Sequence, residues 1–310
     1  MKEMVIMRGE QEKRCLSFVK NKMFYKIGQM EQGSVIYWTD NDVANEELKN
    51  SKIWRVDSAC YQSYFGLLEQ DRNEFENILR KVQENPEASS FPDFIFEDGF
   101  IEHFQITSSY EGKKGSVHTK KEREFFSIVE KETKAIENEW KKNPCLNQVR
   151  SKTWAFTNPE HSYDLLSKSF RKNWEHHLAS FRKYMDSIQS KKVAIFMIEY
   201  PEYALAMYEN IYCDWITGMA QGDMRKPEEF YEYRLSRDKE LLEYVYQFKN
   251  EIKYVIFVNK NRFEVICTEN IPYLIKLLSC DYVICPLYCA THIASVYSIS
   301  VPTNSKENES

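Results

Sequence analysis

The sequence predicts an α/β fold in which helices flank a mixed β-sheet. Amphipathic segments with helical spacing alternate along the chain with short apolar runs, which is the pattern of strands covered by helices. Aromatic residues make up 15% of the 310 residues and only 9 are glycine, which favours helices and an aromatic core over a turn-rich all-β fold. With 43% hydrophobic and 29% charged residues, the chain is expected to be globular rather than disordered.

The first half is predicted to begin with strands at Ser34–Trp38 and near Ile53–Val56. From about Ser58 to Glu84 the apolar residues keep a helical spacing, and Asn85-Pro86 ends that helix because the residue before proline avoids the α region. A further helix is predicted from about Thr119 to Asn143. Its apolar stripe, which we expect to pack on the sheet, consists of Phe125, Phe126, Val129, Ile136 and Trp140.

The second half repeats a rhythm of helix followed by strand. Its predicted helices are Tyr163–Ser190, Tyr203–Ile211, Arg237–Lys249 and Pro272–Ser279. Its predicted strands are Lys192–Tyr200, Tyr254–Val258, Arg262–Cys267 and Asp281–Pro286, of which the first is apolar enough to be buried on both faces. Glu199 ends that strand, where α/β proteins often bind ligands, although it would equally cap a following helix.

Charge and cysteine content restrict the function classes. The formal net charge of −5 excludes a protein that coats nucleic acid indiscriminately but leaves room for a local basic patch.

The first twenty residues mix charged with apolar positions, and apolar runs such as Val193–Ile198 are far too short to span a membrane. The 8 cysteines are expected to be reduced, and the spacing of Cys285, Cys289 and His292 is not that of a zinc knuckle. We therefore expect a cytoplasmic protein that is not membrane-bound.

Residues 92–107 carry the most information about function. Two short alternations of apolar and polar residues flank Glu97-Asp98-Gly99, which predicts a β-hairpin. Asp93 opens the first strand. On the second strand, side chains two apart share a face, so Glu102 lines up with Phe100 and Phe104, whereas His103 lines up with Gln105.

This order of helix, acid-bearing strand, hairpin, polar strand, helix and buried strand resembles the PD-(D/E)xK nuclease superfamily. The resemblance covers about residues 58–200 and implies a restriction-endonuclease-like core. The implied organisation is an N-terminal segment 1–57, that nuclease-like core at 58–200, a C-terminal α/β extension at 201–304 and a frayed tail at 305–310. Pro92-Asp93 matches the first element of the family pattern literally.

The family's acid-x-lysine triplet is less clear in this chain. Strict alternation places His103-x-Gln105 in its position, with glutamine in the place of lysine, a variation that the superfamily tolerates. Alternatively, a β-bulge turns Glu102 into the site. The resemblance implies that Asp93, Glu102, His103, Gln105 and Lys113 are catalytic. It implies that Mg²⁺ or Mn²⁺ is held by Asp93, Glu102 and, from the preceding helix, Glu76.

The expected activity is metal-dependent cleavage of phosphodiester bonds in DNA or RNA. The residues expected to bind nucleic acid are Lys114, Lys120, Lys121 and Arg123. Each feature also has an ordinary structural interpretation, because Asp after Pro is common in turns and His103 and Gln105 suit a solvated strand face. The alternative function is therefore a non-catalytic, nuclease-like interaction protein that binds a protein partner or forms a homodimer.

Overall fold

The computed structural model of the chain describes residues 9–24, 53–54, 64–87, 91–112, 115–142, 149–157, 160–187, 193–202, 204–209, 213–214, 219–220, 230–259, 262–276, 278, 282–286 and 291–299. The described helices are α1 (Glu10–Phe24), α2 (Glu69–Lys81), α3 (Val117–Lys142), α4 (Tyr163–Ser187), α5 (Lys239–Tyr246) and α6 (Ile271–Lys276). The described strands are β1 (Ile53–Trp54), β2 (Tyr64–Leu68), β3 (Gln83–Glu84), β4 (Phe94–Phe96), β5 (Gly99–Gln105), β6 (Glu111–Gly112), β7 (Gly115–Ser116), β8 (Val149–Thr157), β9 (Val193–Tyr200), β10 (Leu205–Glu209), β11 (Cys213–Asp214), β12 (Met219–Ala220), β13 (Phe230–Glu232), β14 (Tyr254–Asn259), β15 (Arg262–Cys267), β16 (Tyr282–Pro286) and β17 (Thr291–Ile299). None of the described helices is both long enough and apolar enough to cross a bilayer.

A mixed sheet forms the centre of the first of two compact units, which comprises residues 1–108 and 162–286. Its strand order is β1-β2-β15-β14-β9-β5-β4-β3, so that six longer strands are extended at each edge by a strand of two residues. The three central strands β5, β9 and β14 are parallel, and β4 and β15 join them as antiparallel neighbours. The predicted α/β class with a mixed, helix-flanked sheet is confirmed.

Helices cover both faces of this sheet. Helices α1 and α2 lie on one face, where Val19, Phe75 and Leu79 pack against Ile101 and Ile195. Helices α4, α5 and α6 lie on the other. Helix α4, predicted as Tyr163–Ser190, is confirmed, and it buries a stripe of Leu166, Phe170, Trp174, Leu178 and Phe181. Burial on both faces explains why β9 reads as a continuous apolar run.

The predicted hairpin is confirmed as β4 and β5. Phe94 pairs with Ile101 and Phe96 with Gly99 in antiparallel register, and Glu97-Asp98 forms the turn. A Cβ atom on residue 99 would overlap the carbonyl oxygen of Val193, so glycine lets β9 approach the start of β5. The backbone N–H of Val193 donates to the carbonyl oxygen of Asp98 at 2.7 Å, which fixes the register of the two strands.

The second unit comprises residues 109–161 and 287–310. Its strands β8 and β17 pair antiparallel along their whole length, and the indole N–H of Trp154 on β8 donates to Glu132 on α3 at 2.9 Å. Ser116 caps α3, since its Oγ accepts the backbone N–H of Thr119 at 3.3 Å. Packing of the α3 stripe on the central sheet stays a prediction. This helix contacts β7 and β8 of its own unit, and α4 provides the sheet's cover.

Other sequence predictions need correction. The helix expected from about Ser58 begins only at Glu69, because Tyr64–Leu68 pair with β15 as the strand β2. The helix expected at Tyr203–Ile211 is instead the strand β10, which pairs with β13 on one side and β16 on the other. In short apolar runs, periodicity alone does not distinguish a helix from a strand. Such a segment becomes a strand when neighbouring strands are available to pair with it. The strand predicted at Ser34–Trp38 lies outside the described residues.

The contact units cut across the predicted segments, whose role as domains stays a prediction. Strands β14 and β15, from the predicted C-terminal extension, pair within the central sheet beside β9. Residues 109–161, from the predicted core, belong to the second unit. The contacts of the chain thus divide it into two discontinuous units rather than four consecutive segments.

Candidate metal centre

The candidate site lies at the carboxyl ends of the parallel strands β5 and β9. Gln105 is paired with Glu199 there, and the pairing of β5 with β9 runs without interruption from Gly99 to Gln105. The alternative in which a bulge turns Glu102 is therefore wrong, and strict alternation places Glu102 and His103 on opposite faces. Ligands of α/β proteins often bind at this end of a parallel sheet.

On the α4 face, Glu102 is held by a histidine. Glu102 is 7% exposed, and its Oε1 shares a hydrogen bond of 2.7 Å with Nδ1 of His177 on α4. The ring of Phe104 stacks on the imidazole of His177 at a centroid distance of 4.7 Å. Packing and hydrogen bonding together therefore fix the position of the Glu102 carboxyl group.

Asp93 joins the two faces of the site. Its backbone N–H donates to Oε2 of Glu102 at 3.2 Å, and its own Oδ2 accepts the backbone N–H of His103 at 2.8 Å. Asp93 is half-buried and precedes the paired residues of β4. The carboxyl groups of Asp93 and Glu102 consequently lie close together at the open end of the hairpin, away from its turn.

The α1 face carries a second polar group, centred on Glu199. Its Oε2 accepts hydrogen bonds from Nε2 of Gln105 at 2.8 Å and from Nε2 of Gln11 at 3.0 Å. The imidazole Nε2 of His103 lies 3.2 Å from the same oxygen. Helix α1 thus reaches the site through Gln11, which the sequence did not point to.

Helix α1 also brings Glu12 and Cys15 to the site. Oε2 of Glu12 is buried and accepts no hydrogen bond, and the charge of Glu12 bears on both Asp93 and Glu102. Cys15 is 4% exposed, and its Sγ belongs with His103 and Glu199 to a cluster whose ligand atoms all lie within 4.8 Å of one another. Burial raises the pKa of the Cys15 thiol well above its usual value, which disfavours a nucleophilic thiolate.

The two carboxyl groups at the hairpin titrate far from their ordinary range. Burial, followed by the neighbouring charge of Glu102, raises the pKa of Asp93 to about 6. Burial raises the pKa of Glu102 to about 7, against the lowering effect of the hydrogen bond from the backbone of Asp93. Ionisation of these two neighbouring carboxyl groups is unfavourable in the folded protein. A bound cation would lower the free energy of the doubly ionised form.

His177 is neutral at physiological pH. Burial lowers its pKa to about 4, although the charge of Asp93 acts in the opposite direction. It therefore holds Glu102 through a hydrogen bond rather than an ion pair. Such a partner fixes the orientation of a carboxylate ligand in the way that outer-shell groups of metal sites do.

The acidic side chains near the hairpin carry oxygen donors. Asp93 and Glu102 offer carboxylate oxygens, and Oε2 of Glu12 on α1 is buried with no hydrogen-bond partner among the described residues. The one group of described side chains with metal-ligand spacing is Cys15, His103 and Glu199 rather than these three acids. Mg²⁺ and Mn²⁺ prefer such oxygen ligands. Binding of Mg²⁺ or Mn²⁺ at the hairpin stays a prediction.

The structure brings together only part of the predicted site. Asp93, Glu102, His103 and Gln105 lie in one cluster. Glu76 is half-buried on α2, and its role as a metal ligand stays a prediction, as does the role of Lys113, which lies outside the described residues.

The basic residues expected to bind nucleic acid lie in the second unit. Lys114 is outside the described residues, whereas Lys120, Lys121 and Arg123 are exposed on α3. Successive helical positions turn by about 100°, so Lys121 and Arg123 project to opposite sides of the helix. Lys120 lies 4.0 Å from the carboxylate of Glu124. A shared phosphate-binding surface for this set stays a prediction.

Five residues of the site were not among the predicted site residues: Gln11, Glu12, Cys15, His177 and Glu199. The position of Glu199 at the end of a buried strand was the one signal available. His177 stacks on Phe104 and holds Glu102, which lies 75 positions away in the chain, so no local pattern predicts the second contact. The helical spacing of Gln11 and Cys15, four apart, predicts a shared face but not the strand that this face meets.

Comparisons with known proteins give no family for this chain. No protein-family model matches it, and no curated protein or solved structure is significantly similar to it. The site is therefore interpreted from its own geometry and chemistry.

Proposed function

We propose that the protein is a metal-dependent phosphodiesterase that cleaves DNA or RNA at the hairpin site. The observation that carries this proposal is the pair of neighbouring carboxyl groups of half-buried Asp93 and buried Glu102, linked by the hydrogen bond from the Asp93 backbone, with pKa values raised to about 6 and about 7. Such a pair favours a divalent cation, and phosphodiester hydrolysis is a reaction that needs one. A bound Mg²⁺ or Mn²⁺ would neutralise the phosphate, lower the pKa of a water and stabilise the leaving oxygen.

The protein's own residues prepare this chemistry. Asp93 and Glu102 would bind the cation, assisted by Glu12 from α1. His177 and the backbone N–H of Asp93 orient the Glu102 carboxyl group. Gln105 is the exposed member of the cluster, and its amide is available to orient a water or a phosphate oxygen from the α1 face.

We further propose that the central unit has a restriction-endonuclease-like core. Support comes from the succession of α2, the antiparallel strands β3, β4 and β5, then α4, then β9 parallel to β5. We also propose a cytoplasmic location, because the described cysteines Cys15, Cys267 and Cys285 are all free thiols.

The test is direct. Labelled single- and double-stranded DNA and RNA oligonucleotides would be incubated with the purified chain in Mg²⁺, in Mn²⁺ and in a chelator, and crystals soaked in Mn²⁺ would be measured for anomalous scattering. We expect cleavage that requires the metal and an anomalous peak beside Asp93 and Glu102. If no nucleic acid is cleaved and no peak lies there, the non-catalytic interaction protein is the better description.

Glu12 provides a first prediction about this site. Removing its charge in Glu12→Gln should weaken Mn²⁺ binding by about tenfold, since a group that completes a metal site typically contributes a factor of about 10–100 to affinity. Titration calorimetry with Mn²⁺ measures the effect. The matched control is Glu10→Gln, an exposed acid on the same helix, which should leave the affinity unchanged. Equal affinities for the two variants would exclude Glu12 from the site.

Gln105 provides a second prediction. Gln105→Ala should slow cleavage by up to about a hundredfold, the typical cost of losing one donor that stabilises the transition state. Mn²⁺ affinity should be unchanged, because the carboxyl groups of Asp93 and Glu102 remain. Single-turnover cleavage and calorimetry separate the two quantities. A variant that cleaves at the normal rate would show that Gln105 only positions Glu199.

A further inference from the structure

Cys15, His103 and Glu199 form a compact group on the α1 face of the sheet. One ligand atom from each lies within 4.8 Å of the other two, and Cys15 and His103 are both buried. The group is separate from the Glu102–His177 pair, which lies on the α4 face. His103 connects the two, since its backbone N–H binds Asp93 while its ring points to Glu199.

The three donors suit a different metal from the one expected at the hairpin. A thiolate and an imidazole are soft or borderline ligands, which select Zn²⁺ over Mg²⁺. In tetrahedral zinc sites the bonds are about 2.0–2.3 Å long, which places neighbouring ligand atoms roughly 3.3–3.6 Å apart. Nε2 of His103 is already 3.2 Å from Oε2 of Glu199. Small rotations of the side chains therefore suffice to close the group around one ion.

The surroundings support the ligands in this role. The amides of Gln11 and Gln105 both hold the carboxylate of Glu199. Cys15 is anchored in the apolar cluster that joins α1 to the sheet, together with Leu16 and Val19. A site with three protein ligands leaves a fourth position for water or substrate.

We propose that Cys15, His103 and Glu199 bind a zinc-class cation, in a second metal site distinct from the carboxylate pair of Asp93 and Glu102. The site ties α1 to the ends of β5 and β9. Because α1 also carries Glu12, the ion would hold that helix in position beside the hairpin. This inference does not depend on nuclease activity, since a metal can serve this structural purpose in either of the two functions considered.

Cobalt(II) tests the proposal, because a cobalt–thiolate bond gives a charge-transfer absorption band in the near ultraviolet. The full chain, freed of metal with a chelator, would be titrated with Co²⁺ and then with Zn²⁺. We expect the band to appear in the wild-type protein and to disappear when Zn²⁺ displaces cobalt. It should be absent from Cys15→Ser and present in the matched control Cys267→Ser, a buried thiol on β15. Asp93→Asn should also retain it, which separates this site from the proposed catalytic one.

A second readout needs no variant, and so remains decisive if Cys15→Ser does not fold. X-ray absorption of the zinc-loaded wild-type protein should show one sulfur together with nitrogen and oxygen ligands. No band in the wild type, a band that survives in folded Cys15→Ser, or a zinc shell without sulfur or with several sulfurs would each overturn the proposal. The three residues would then be a hydrogen-bonded cluster that holds no metal.

Discussion

Asp93→Asn is expected to abolish Mg²⁺- or Mn²⁺-dependent cleavage, with a loss of about a thousandfold or more. The metal contributes several kcal/mol to stabilising the transition state, and each 1.36 kcal/mol is about tenfold in rate. Asparagine keeps an oxygen that can accept the backbone N–H of His103, as Oδ2 of Asp93 does at 2.8 Å. The variant should therefore fold normally while lacking the charge that binds the ion.

The matched control is Asp98→Asn in the turn of the same hairpin. Asp98 is exposed, and the hydrogen bond that fixes the strand register uses its backbone carbonyl oxygen rather than its side chain. The Asp98→Asn variant should therefore cleave nucleic acid at the wild-type rate. Cleavage and Mn²⁺ affinity would be measured for both variants, with circular dichroism to verify folding. If folded Asp93→Asn cleaves at the wild-type rate, the hairpin is not the catalytic site.

The carboxyl groups of Glu102 and Asp93 should lower the stability of the metal-free protein as the pH rises from about 4.5 to about 7.5, whereas His177, whose pKa burial lowers from 6.5 to about 4, acts in the opposite direction. The pKa of Glu102 is raised by burial from 4.5 to about 7, and that of Asp93 from 3.8 to about 6. In this interval the unfolded chain loses these protons while the folded chain retains them, so the unfolded state is increasingly favoured. For Glu102 the loss in the free energy of unfolding is about 3 kcal/mol.

Chemical denaturation in a chelator, repeated across this pH range, measures the effect. Other groups titrate as well, so the informative quantity is the difference from Glu102→Gln, which has no proton to lose at this position and also relieves Asp93 of a neighbouring charge. The wild-type curve should fall towards that of the variant at high pH, and added Mn²⁺ should restore stability to the wild type alone. Parallel curves for the two proteins would show that the Glu102 pKa is not raised.

The hairpin could be predicted from the sequence because its information is local. The segment Glu97-Asp98-Gly99 marks the turn, which the chain makes at Glu97-Asp98, and the alternation around Glu102 and His103 determines which side chains share a face. The strand β9 and the helix α4 were equally clear, since each has a long and regular apolar pattern. The order of elements around the site followed from these three features.

The rest of the site depends on contacts between residues far apart in the chain. Gln11 and Glu199 are separated by 188 positions, and His177 and Glu102 by 75. No local pattern specifies that α1 crosses the end of β5. The helix prediction for the segment that forms β10 was wrong for the same reason. Pairing with β13 and β16, which follow later in the chain, outweighs the weak helical spacing of its apolar residues.

Ser108 and Ser162 flank the segment that belongs to the second unit, and the backbone N–H of Ser162 donates to the carbonyl oxygen of Ser108 at 3.0 Å. The chain therefore leaves the central unit and re-enters it at neighbouring points. In evolutionary terms, this junction would allow the intervening 53 residues to be exchanged, lengthened or lost together with the chain after Pro286, while β5 and α4 keep their places in the central unit. The same junction is where a short linker would yield a minimal protein for crystallisation.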